Sequence, residues 1–484
     1  MDAHKKWWHN FWEKSSINIP DSLIEKQYYL EMYKLGSTAK NGAPPISLQG
    51  VWTADNNGLP PWKGDYHHDL NTELSYWPTY KSNHLDIEMG FITWLEQNKQ
   101  AFFNYTKQFF ETNGINVPGV TTLYGEPMGG WIQYAFGPTV SAWLSQNYYL
   151  HWEYTKDSTF LKNKAYPWLK NTSIYLMEIL KKDKEGKLHL PISSSPEIFD
   201  NSIDAWFDKI TNFDLALIKY TLEKTIELAR ILKINDDVEK FKRIYKQLPD
   251  FAVSDSLGLL LAPNKKLPYS HRHLSHLMAI FPLKLIDRHN SDRDKQIIKN
   301  SIGYLKKLGS SQWVGYSFCW FANILANCGL GNEVDSILKI FATSFCSPNS
   351  FHLNGDQSDK NYSNFRYNPF TLEGNFAFAS AVLEILIQFH NDIVYLFPAI
   401  PQNWHNVAFK NLRINGAFLI SAEIKNDDIK YINIKSLKGG NINIYNLSRK
   451  KFIKYEGVKK EDIKVSDELI KIVTKKGDNI TLTF

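Results

Sequence analysis

Apolar residues recur at helical spacing from about Asp21 to His390. Ile87, Met89, Phe91, Ile92 and Leu95 form one such face, and Phe213, Leu217, Ile218, Leu222, Ile226 and Ala229 form another. Segments 139–155, 166–180, 297–308, 317–329, 333–343 and 375–389 follow the same pattern. Between them run long loops rich in Pro, Gly, Asn and Trp, at 41–66, 111–131, 190–212, 262–276 and 347–374. Loops of that length usually form a functional rim. After His390 the period changes to two. Leu412, Ile414, Gly416, Phe418 and Ile420 alternate, as do Ile432 and Ile434, Ile442 and Ile444, and Ile480, Leu482 and Phe484. Asn426–Asp428, Gly439–Gly440 and Lys476–Asp478 punctuate these runs as turns. The pattern predicts a helical lead-in over 1–40, a helical domain over 41–390 and a C-terminal antiparallel β-sandwich over 391–484. The fold class is mainly α. Helices whose polar and aromatic residues gather in the loops predict a ring around one concave end, an (α/α)6 barrel.

Composition removes several function classes. Lys+Arg exceeds Asp+Glu by only 56 to 50 over 484 residues, too mild for a nucleic-acid footprint. No run approaches the ~18 apolar residues of a membrane-spanning helix, so no membrane partner is expected. The N-terminal stretch Met1–Ser16 lacks an apolar h-region, so no secretory signal peptide is read in it; the protein stays inside, or the chain is a mature or truncated form. Three cysteines (Cys319, Cys328, Cys346) make neither a disulfide scaffold nor a CxxC zinc site. Aromatics reach 14 %, with 15 Trp. Flat amphipathic rings suit sugar faces and large cores alike.

Four stretches could carry chemistry. The first is Leu48-Gln49-Gly50-Val51-Trp52 followed by Pro60 to Pro78. In it His67, Asp69 and Asn71 are spaced by two, so extended backbone would put all three on one side. Asp69 and Asn71 are also good helix caps. The second, Ser193-Ser194-Ser195-Pro196-Glu197, is a tight turn that could hold a partly desolvated acid or a surface Glu. The third, Ser270 to Leu277, contains His271, Arg272, His273 and His276. His273 and His276 could share a helix face, but there is no HExxH and no nearby Cys, so no metal is expected. Arg272 and His273 read as sugar-hydroxyl donors or as helix-start packing. The fourth, Asn368 to Phe376, puts Glu373 at a helix head. There is no P-loop, nucleophile elbow or Rossmann fingerprint, hence no cofactor. Carboxylates, amides, His, Arg and aromatics are the toolkit of glycoside hydrolysis.

At these four stretches the chain resembles glycoside hydrolase family 95. The resemblance runs from about Leu48 to Arg413. It includes Ala142-Trp143-Leu144, Tyr154-Thr155-Lys156-Asp157, Ala165-Tyr166-Pro167, Gly315-Tyr316-Ser317 and Phe397-Pro398-Ala399-Ile400-Pro401. It implies an inverting exo-glycosidase acting on a terminal α-linked sugar such as α-L-fucose or α-L-galactose. Glu197 maps onto the family's general acid. The family's attacking water is activated by an unusual base, two Asn side chains helped by a carboxylate; Asp69 stands at the first Asn, Asn71 at the second, and Glu373 where the helper is usually Asp. Asp69 could take the proton itself with Glu373 relaying, or Glu373 could be the base. Acid and base are expected ~6.5–9.5 Å apart. His67, Arg272 and His273 map onto sugar contacts, and Trp62, Trp131 and Trp313 are candidate stacking platforms. The family's His-rich loop is replaced by Asn113 to Gly119, and its large N-terminal β-domain has no counterpart in the chain. The implied partner is an oligosaccharide or polysaccharide. Two other classes stand beside this reading: a glycan-binding protein without turnover, suggested by the changed base, and a polysaccharide lyase, a chemistry that α/α barrels also host.

Overall fold

The computed structural model describes residues 1–52, 61–450 and 453–484. Its helical part is a ring within a ring. The inner elements are the helices Asn71–Lys81, Val140–Thr155 and Asn212–Ile231, the single 3-10 turn Ser275–Leu277, and the helices Gly315–Asn327 and Glu373–Leu386. Four of these helices are buried on nearly every side, as enclosed helices must be. Neighbouring inner elements pack against one another around the ring. Between the 3-10 turn region and Gly315–Asn327, Ser317 Oγ donates to the Arg272 carbonyl at 2.7 Å and Trp320 Nε1 to the Phe281 carbonyl at 3.4 Å. The outer layer includes Ser22–Thr38, Leu85–Gln97, Tyr166–Ile179, Asn235–Tyr245, Asp292–Leu308 and Gly331–Ser344. These helices are amphipathic. Asp292–Leu308, for example, buries Ile297, Ile298, Ile302 and Leu305 and exposes its lysines; Ser291 caps it by accepting the Asp294 N–H at 3.1 Å. The first residues of three inner helices, Asn71, Gly315 and Glu373, lie at one end of the ring, so their positive N-terminal dipoles converge there.

The helix predicted over 375–389 stops at Leu386, and Ile387–His390 is already a strand, paired antiparallel with Ile393–Leu396. Ile and Phe at 387 and 389 favour the extended state once the ring no longer encloses them. Two sheets follow. One runs Ser16–Asn18, Asn406–Ile414, Phe418–Lys425, Asp428–Ser436, Asn479–Thr483, Lys454–Glu456. The other runs Ile463–Val465, Leu469–Thr474, Gly440–Tyr445, Ile393–Leu396, Ile387–His390. Pairing is antiparallel except for Gly440–Tyr445 beside Ile393–Leu396, which run parallel through Ile444 and Val394. The alternating residues Leu412, Ile414, Phe418, Ile420, Ile432, Ile434, Ile442, Ile444, Ile480 and Leu482 are all buried. Gly416 is a turn residue at φ +85°, not a strand position. Ser16–Asn18 forms an outer strand of the first sheet, while Ser22–Thr38 packs on Glu373–Leu386 and Gly331–Ser344. The lead-in is thus shared between the two folds.

Candidate active site

Glu197 is presented by a turn that is tied down on three sides. Ser193 Oγ donates to Asp214 Oδ2 at 2.5 Å, near the start of Asn212–Ile231, and Asp214 also accepts Thr139 Oγ1 at 2.6 Å. Ser195 Oγ lies 2.6 Å from Ser275 Oγ, which joins the turn to the segment carrying Arg272 and His273. The Glu197 N–H donates to Gln133 Oε1 at 3.1 Å, and its carbonyl accepts His271 Nε2 at 3.1 Å. Glu197, Phe199 and Asp200 all have left-handed backbones, at φ +58°, +64° and +52°. That conformation is unfavourable for side chains of this size and persists because the tethers impose it. The Glu197 carboxyl then meets Arg272 Nε and His273 Nε2, both donating to Oε2, the latter at 2.8 Å.

The facing wall begins as extended backbone. Tyr66–His67 pairs with Val120–Thr121, and the His68 N–H donates to the Gly119 carbonyl at 2.7 Å. His67 Nδ1 lies 2.5 Å from Asp65 Oδ1. Burial alone would pull the His67 pKa down, but the bond to Asp65 and the charges of Asp69 and Glu197 outweigh it and push it up to about 9. Asp69 is buried, and both its oxygens lack a hydrogen-bond partner among the described residues. Desolvation raises its pKa, the Glu197 carboxylate adds to that, and His273, His67 and Arg272 oppose it. Asn71 and Glu373 each open an inner helix. The Glu373 carboxyl accepts Thr371 Oγ1 at 2.7 Å. Burial pushes its pKa up to about 7, against the pull of Thr371, its own backbone N–H, the Asn71 amide and His67.

The pit between these walls is lined by His67, Asn71, Glu197, Arg272, His273 and Thr371 together with Leu48, Trp62, Tyr316, Asn354 and Tyr367. Glu373 is buried beside Asn71 and Thr371, outside that lining, and Asp69 lines a neighbouring smaller cavity with His68 and Gln133. The pit encloses about 60 Å³. At ~10–15 Å³ per water that is room for about four to six waters, the space of one sugar ring. Asp69, Glu197 and His273 each offer a ligand atom within 4.8 Å of the others, a donor set that could hold a divalent cation. The Arg272 guanidinium and His273 already bond the Glu197 oxygen, so a cation would have to displace an existing positive charge.

Residues 9–386 match the model of the glycosyl hydrolase family 95 catalytic domain, and residues 388–482 match that of the family 95 C-terminal domain. The chain belongs to glycoside hydrolase family 95. The seam between the two matches falls where Glu373–Leu386 gives way to Ile387–His390. Alpha-L-fucosidase 2 of Arabidopsis thaliana is 28 % identical over 420 residues, covering 83 % of this chain and 48 % of its own length. The Aspergillus niger protein named "probable alpha-fucosidase A" is 22 % identical over 439 residues, covering 80 % of this chain and 50 % of its own. The chain therefore spans about half the length of these curated relatives. In fold it is similar to a human-microbiome protein described as a kojibiose phosphorylase, with a TM-score of 0.64 at 15 % identity over 98 % of this chain and 65 % of that one.

Within this family 95 fold, Glu197, Asp69, Asn71, Glu373, His67, Arg272, His273 and Trp62 meet at one place although they lie up to about 300 residues apart in sequence. Arg272 and His273, expected on sugar hydroxyls, line the pit and both bond the Glu197 carboxyl, the charge-assisted partner within reach. Trp313 is not on the rim. Only 4 % exposed, it packs edge-on against Phe318 and Phe321. Trp131 is not among the described side chains lining the pit; it precedes the short helix Ile132–Phe136, whose Gln133 holds the Glu197 backbone. Asp69 lies closer to Glu197 than the ~6.5–9.5 Å spacing allows, their nearest ligand atoms being within 4.8 Å. Pro60, in the first motif, falls outside the described residues. Asp65, Gln133, Asn354, Thr371 and Tyr367 were not singled out as site residues. Each is an ordinary loop or cap residue in sequence and joins the site only through contacts the folded chain makes, local ones for Asp65 and Thr371.

Proposed function

We propose that the chain is an inverting exo-glycosidase that removes a terminal α-L-fucosyl-type sugar from a glycan. The observation that carries this reading is Glu197 sharing a one-ring pit with the Asn71 amide, which bonds the buried Glu373 carboxyl behind it. Glu197 is the general acid for the departing glycosidic oxygen. Glu373 is the base and acts on a water held by the Asn71 amide. Its helix-head position and burial leave it poised near neutrality, where a base is most effective. Asp69 is too near Glu197 to leave room for the attacking water. It serves as a like-charged neighbour that makes Glu197 hold a proton more tightly.

Arg272 Nε bonds Glu197 Oε2 across the pit. A sugar ring entering the pit must move that guanidinium aside, and Asp200, whose Oδ1 is 3.8 Å from Arg272 Nη2, offers it a second partner. Relieved of the cation, Glu197 takes up a proton from solvent and, once the sugar shields it, donates that proton to the glycosidic oxygen. His67, cationic at neutral pH, then faces the sugar hydroxyls, and Trp62 lies at the rim, 42 % exposed, as a platform.

The test is hydrolysis of an α-L-fucosyl disaccharide and its α-L-galactosyl counterpart, with NMR of the first-formed anomer. Inversion gives the β-anomer first. Glu197→Gln should lower kcat on the disaccharide by about 10²–10⁴ and by much less on an activated aryl fucoside, which needs no acid. A retained anomer, or full activity of Glu197→Gln on the disaccharide, would refute the assignment. The Arg272–Glu197 ion pair is the one observation that favours the second reading, glycan binding without turnover. That reading predicts binding of the same disaccharides and release of no sugar.

A further inference from the structure

The pit has room for one ring, so the group that leaves with the glycosidic oxygen lies outside it, at the mouth. The acid must touch that oxygen, which puts the leaving group against whatever surrounds the Glu197 turn. Four large apolar side chains are tied to that turn. Phe199 is two residues on from Glu197. Tyr269 meets the Phe199 ring edge-on at 6.2 Å and feels the charges of Asp200 and Arg272. Ile132 precedes Gln133, which accepts the Glu197 N–H, and its own N–H donates to Asn201 Oδ1 at 3.3 Å. Ile203 follows Ser202, whose N–H donates to the Phe199 carbonyl at 3.2 Å.

These residues face water. Ile203 is 84 % exposed, Ile132 48 % and Tyr269 45 %, with Phe199 partly so. Single exposed apolar side chains are ordinary, but a group of them anchored to one short turn beside the proposed acid marks a place where apolar surface is covered. The residue types narrow what covers it. A hydroxylated ring stacks its C–H face on a flat aromatic, as Trp62 offers in the pit. The branched chains of Ile132 and Ile203 have neither a flat face nor a polar tip, and gain only by removing apolar surface from water. Charge narrows it further. Residues 197–208 carry four carboxylates, Glu197, Asp200, Asp204 and Asp208, and no Lys, Arg or His. Arg272, the cation that reaches them, bonds Glu197 and pairs with Asp200. Such a surface repels an anion.

We infer that the mouth of the pit is a leaving-group site for an apolar alcohol, alkyl or aryl, that carries no negative charge. The inference rests on the reading of the pit as an exo-glycosidase site and narrows its glycan to a glycoconjugate whose apolar part follows the cleaved bond directly. Ile203, Ile132 and Tyr269 cover that part while Glu197 gives its proton to the oxygen that joined it to the sugar. The apolar alcohol then leaves along this surface, and the water oxygen stays on the sugar.

The test compares methyl, hexyl and ω-carboxypentyl α-L-fucosides, and the same series of α-L-galactosides, below the concentration at which the hexyl compounds form micelles. The three leaving alcohols need the acid to a similar degree, so the ratio of their kcat/KM reads binding of the leaving group. Covering about two or three methylenes should make the hexyl glycoside about tenfold or more better than the methyl, and the carboxypentyl glycoside should be no better than the methyl. Ile203→Ser and Tyr269→Ser should each cut the hexyl-to-methyl ratio about threefold or more. Each ratio is taken within one protein sample, so any loss of folded enzyme cancels from it. A wild-type ratio near one, a carboxypentyl glycoside as good as the hexyl, or a ratio unchanged in both variants overturns the inference while hydrolysis stands. If no glycoside is cleaved, the catalytic reading fails, and calorimetric titration makes the same comparison by affinity. Hexyl binding tighter than methyl, with the same response to the variants, then upholds the site; equal binding, or none, overturns it.

Discussion

Two titrating groups, His67 in the pit and Glu373 buried beside it, set opposite limbs of the pH response. Glu373 must be ionised to act as the proposed base, and burial holds its pKa at about 7. His67 must keep its proton to face sugar hydroxyls as a donor, and Asp65 with its acidic neighbours holds it to about 9. The kcat/KM profile should therefore rise through about 7 and fall through about 9; a profile that falls through 7 would remove Glu373 as the base. The same shift bears on stability. The unfolded chain releases the Glu373 proton near 4.5, the folded chain near 7, so the folded state binds more protons between those values. This group's contribution declines as pH rises across that window, by at most about 3 kcal/mol. Glu373→Gln should flatten that part of the melting-temperature curve. Of these residues, the carboxylates, Asn71 and His67 were singled out in sequence by their place in Pro- and Gly-rich loops and by the family resemblance, although each also reads as a cap or surface group. Asp65 was not, because its role depends on a bond to a ring two residues away that only the folded turn forms.

At the scale of an element, the head of Glu373–Leu386 is positioned by the lead-in helix. Glu31 is wholly buried in Ser22–Thr38 and accepts from Lys34 at 2.7 Å and from Asn375 Nδ2 at 2.8 Å. Asn375 Oδ1 accepts the His352 N–H at 2.9 Å, His352 Nδ1 donates to the Thr371 carbonyl at 2.9 Å, and Thr371 in turn bonds Glu373. Burial keeps His352 neutral, with a pKa down at about 4. Two glycines allow this closeness: a Cβ at Gly315 would sit 2.3 Å from the His352 ring, and one at Gly374 2.8 Å from it. Gly315→Ala should push His352 off Thr371 and destabilise the fold by about 1–3 kcal/mol, with a fall in kcat at little change in KM. Asn375→Ala leaves Glu31, the Ser350 carbonyl and the His352 N–H short of a buried partner and should cost about 2–3 kcal/mol in a denaturant melt. A variant with unchanged stability and unchanged kcat would break the chain of contacts. In sequence Glu31, Asn375 and His352 were indistinguishable from ordinary helix and loop polars. Their meaning comes from packing between segments more than 300 residues apart.

Over the whole molecule one apolar cluster runs through barrel and sheets, taking in Trp143 and Trp320 on one side and Trp404, Ile432 and Ile470 on the other. The Phe397 N–H donates to the Leu386 carbonyl at 2.7 Å, and the Gly416 N–H to the Glu153 carbonyl at 2.9 Å. Barrel and sheets should therefore unfold in a single cooperative step, seen as coincident far- and near-ultraviolet transitions; two separated transitions would contradict the shared core. Ile17, 4 % exposed in the outer strand Ser16–Asn18, belongs to that cluster. Ile17→Ala should cost about 2–4 kcal/mol and lower that single transition as a whole.

What the amino-acid order determined alone is what depends on neighbours along the chain. Period 3.6 before His390, period two after it, turns at Gly and Asn, and acids held in rigid loops all follow from local burial pattern and backbone preference. Tertiary structure decided the rest. It made the fourth inner element a single turn, turned Trp313 inward, seated Arg272 on Glu197, brought Asp69 within 4.8 Å of Glu197 and recruited residues 16–18 into the C-terminal sheet. Each of these is a distance between side chains whose separation in sequence carries no information about their separation in space. Only closure of the ring, which buries one continuous core, sets those distances.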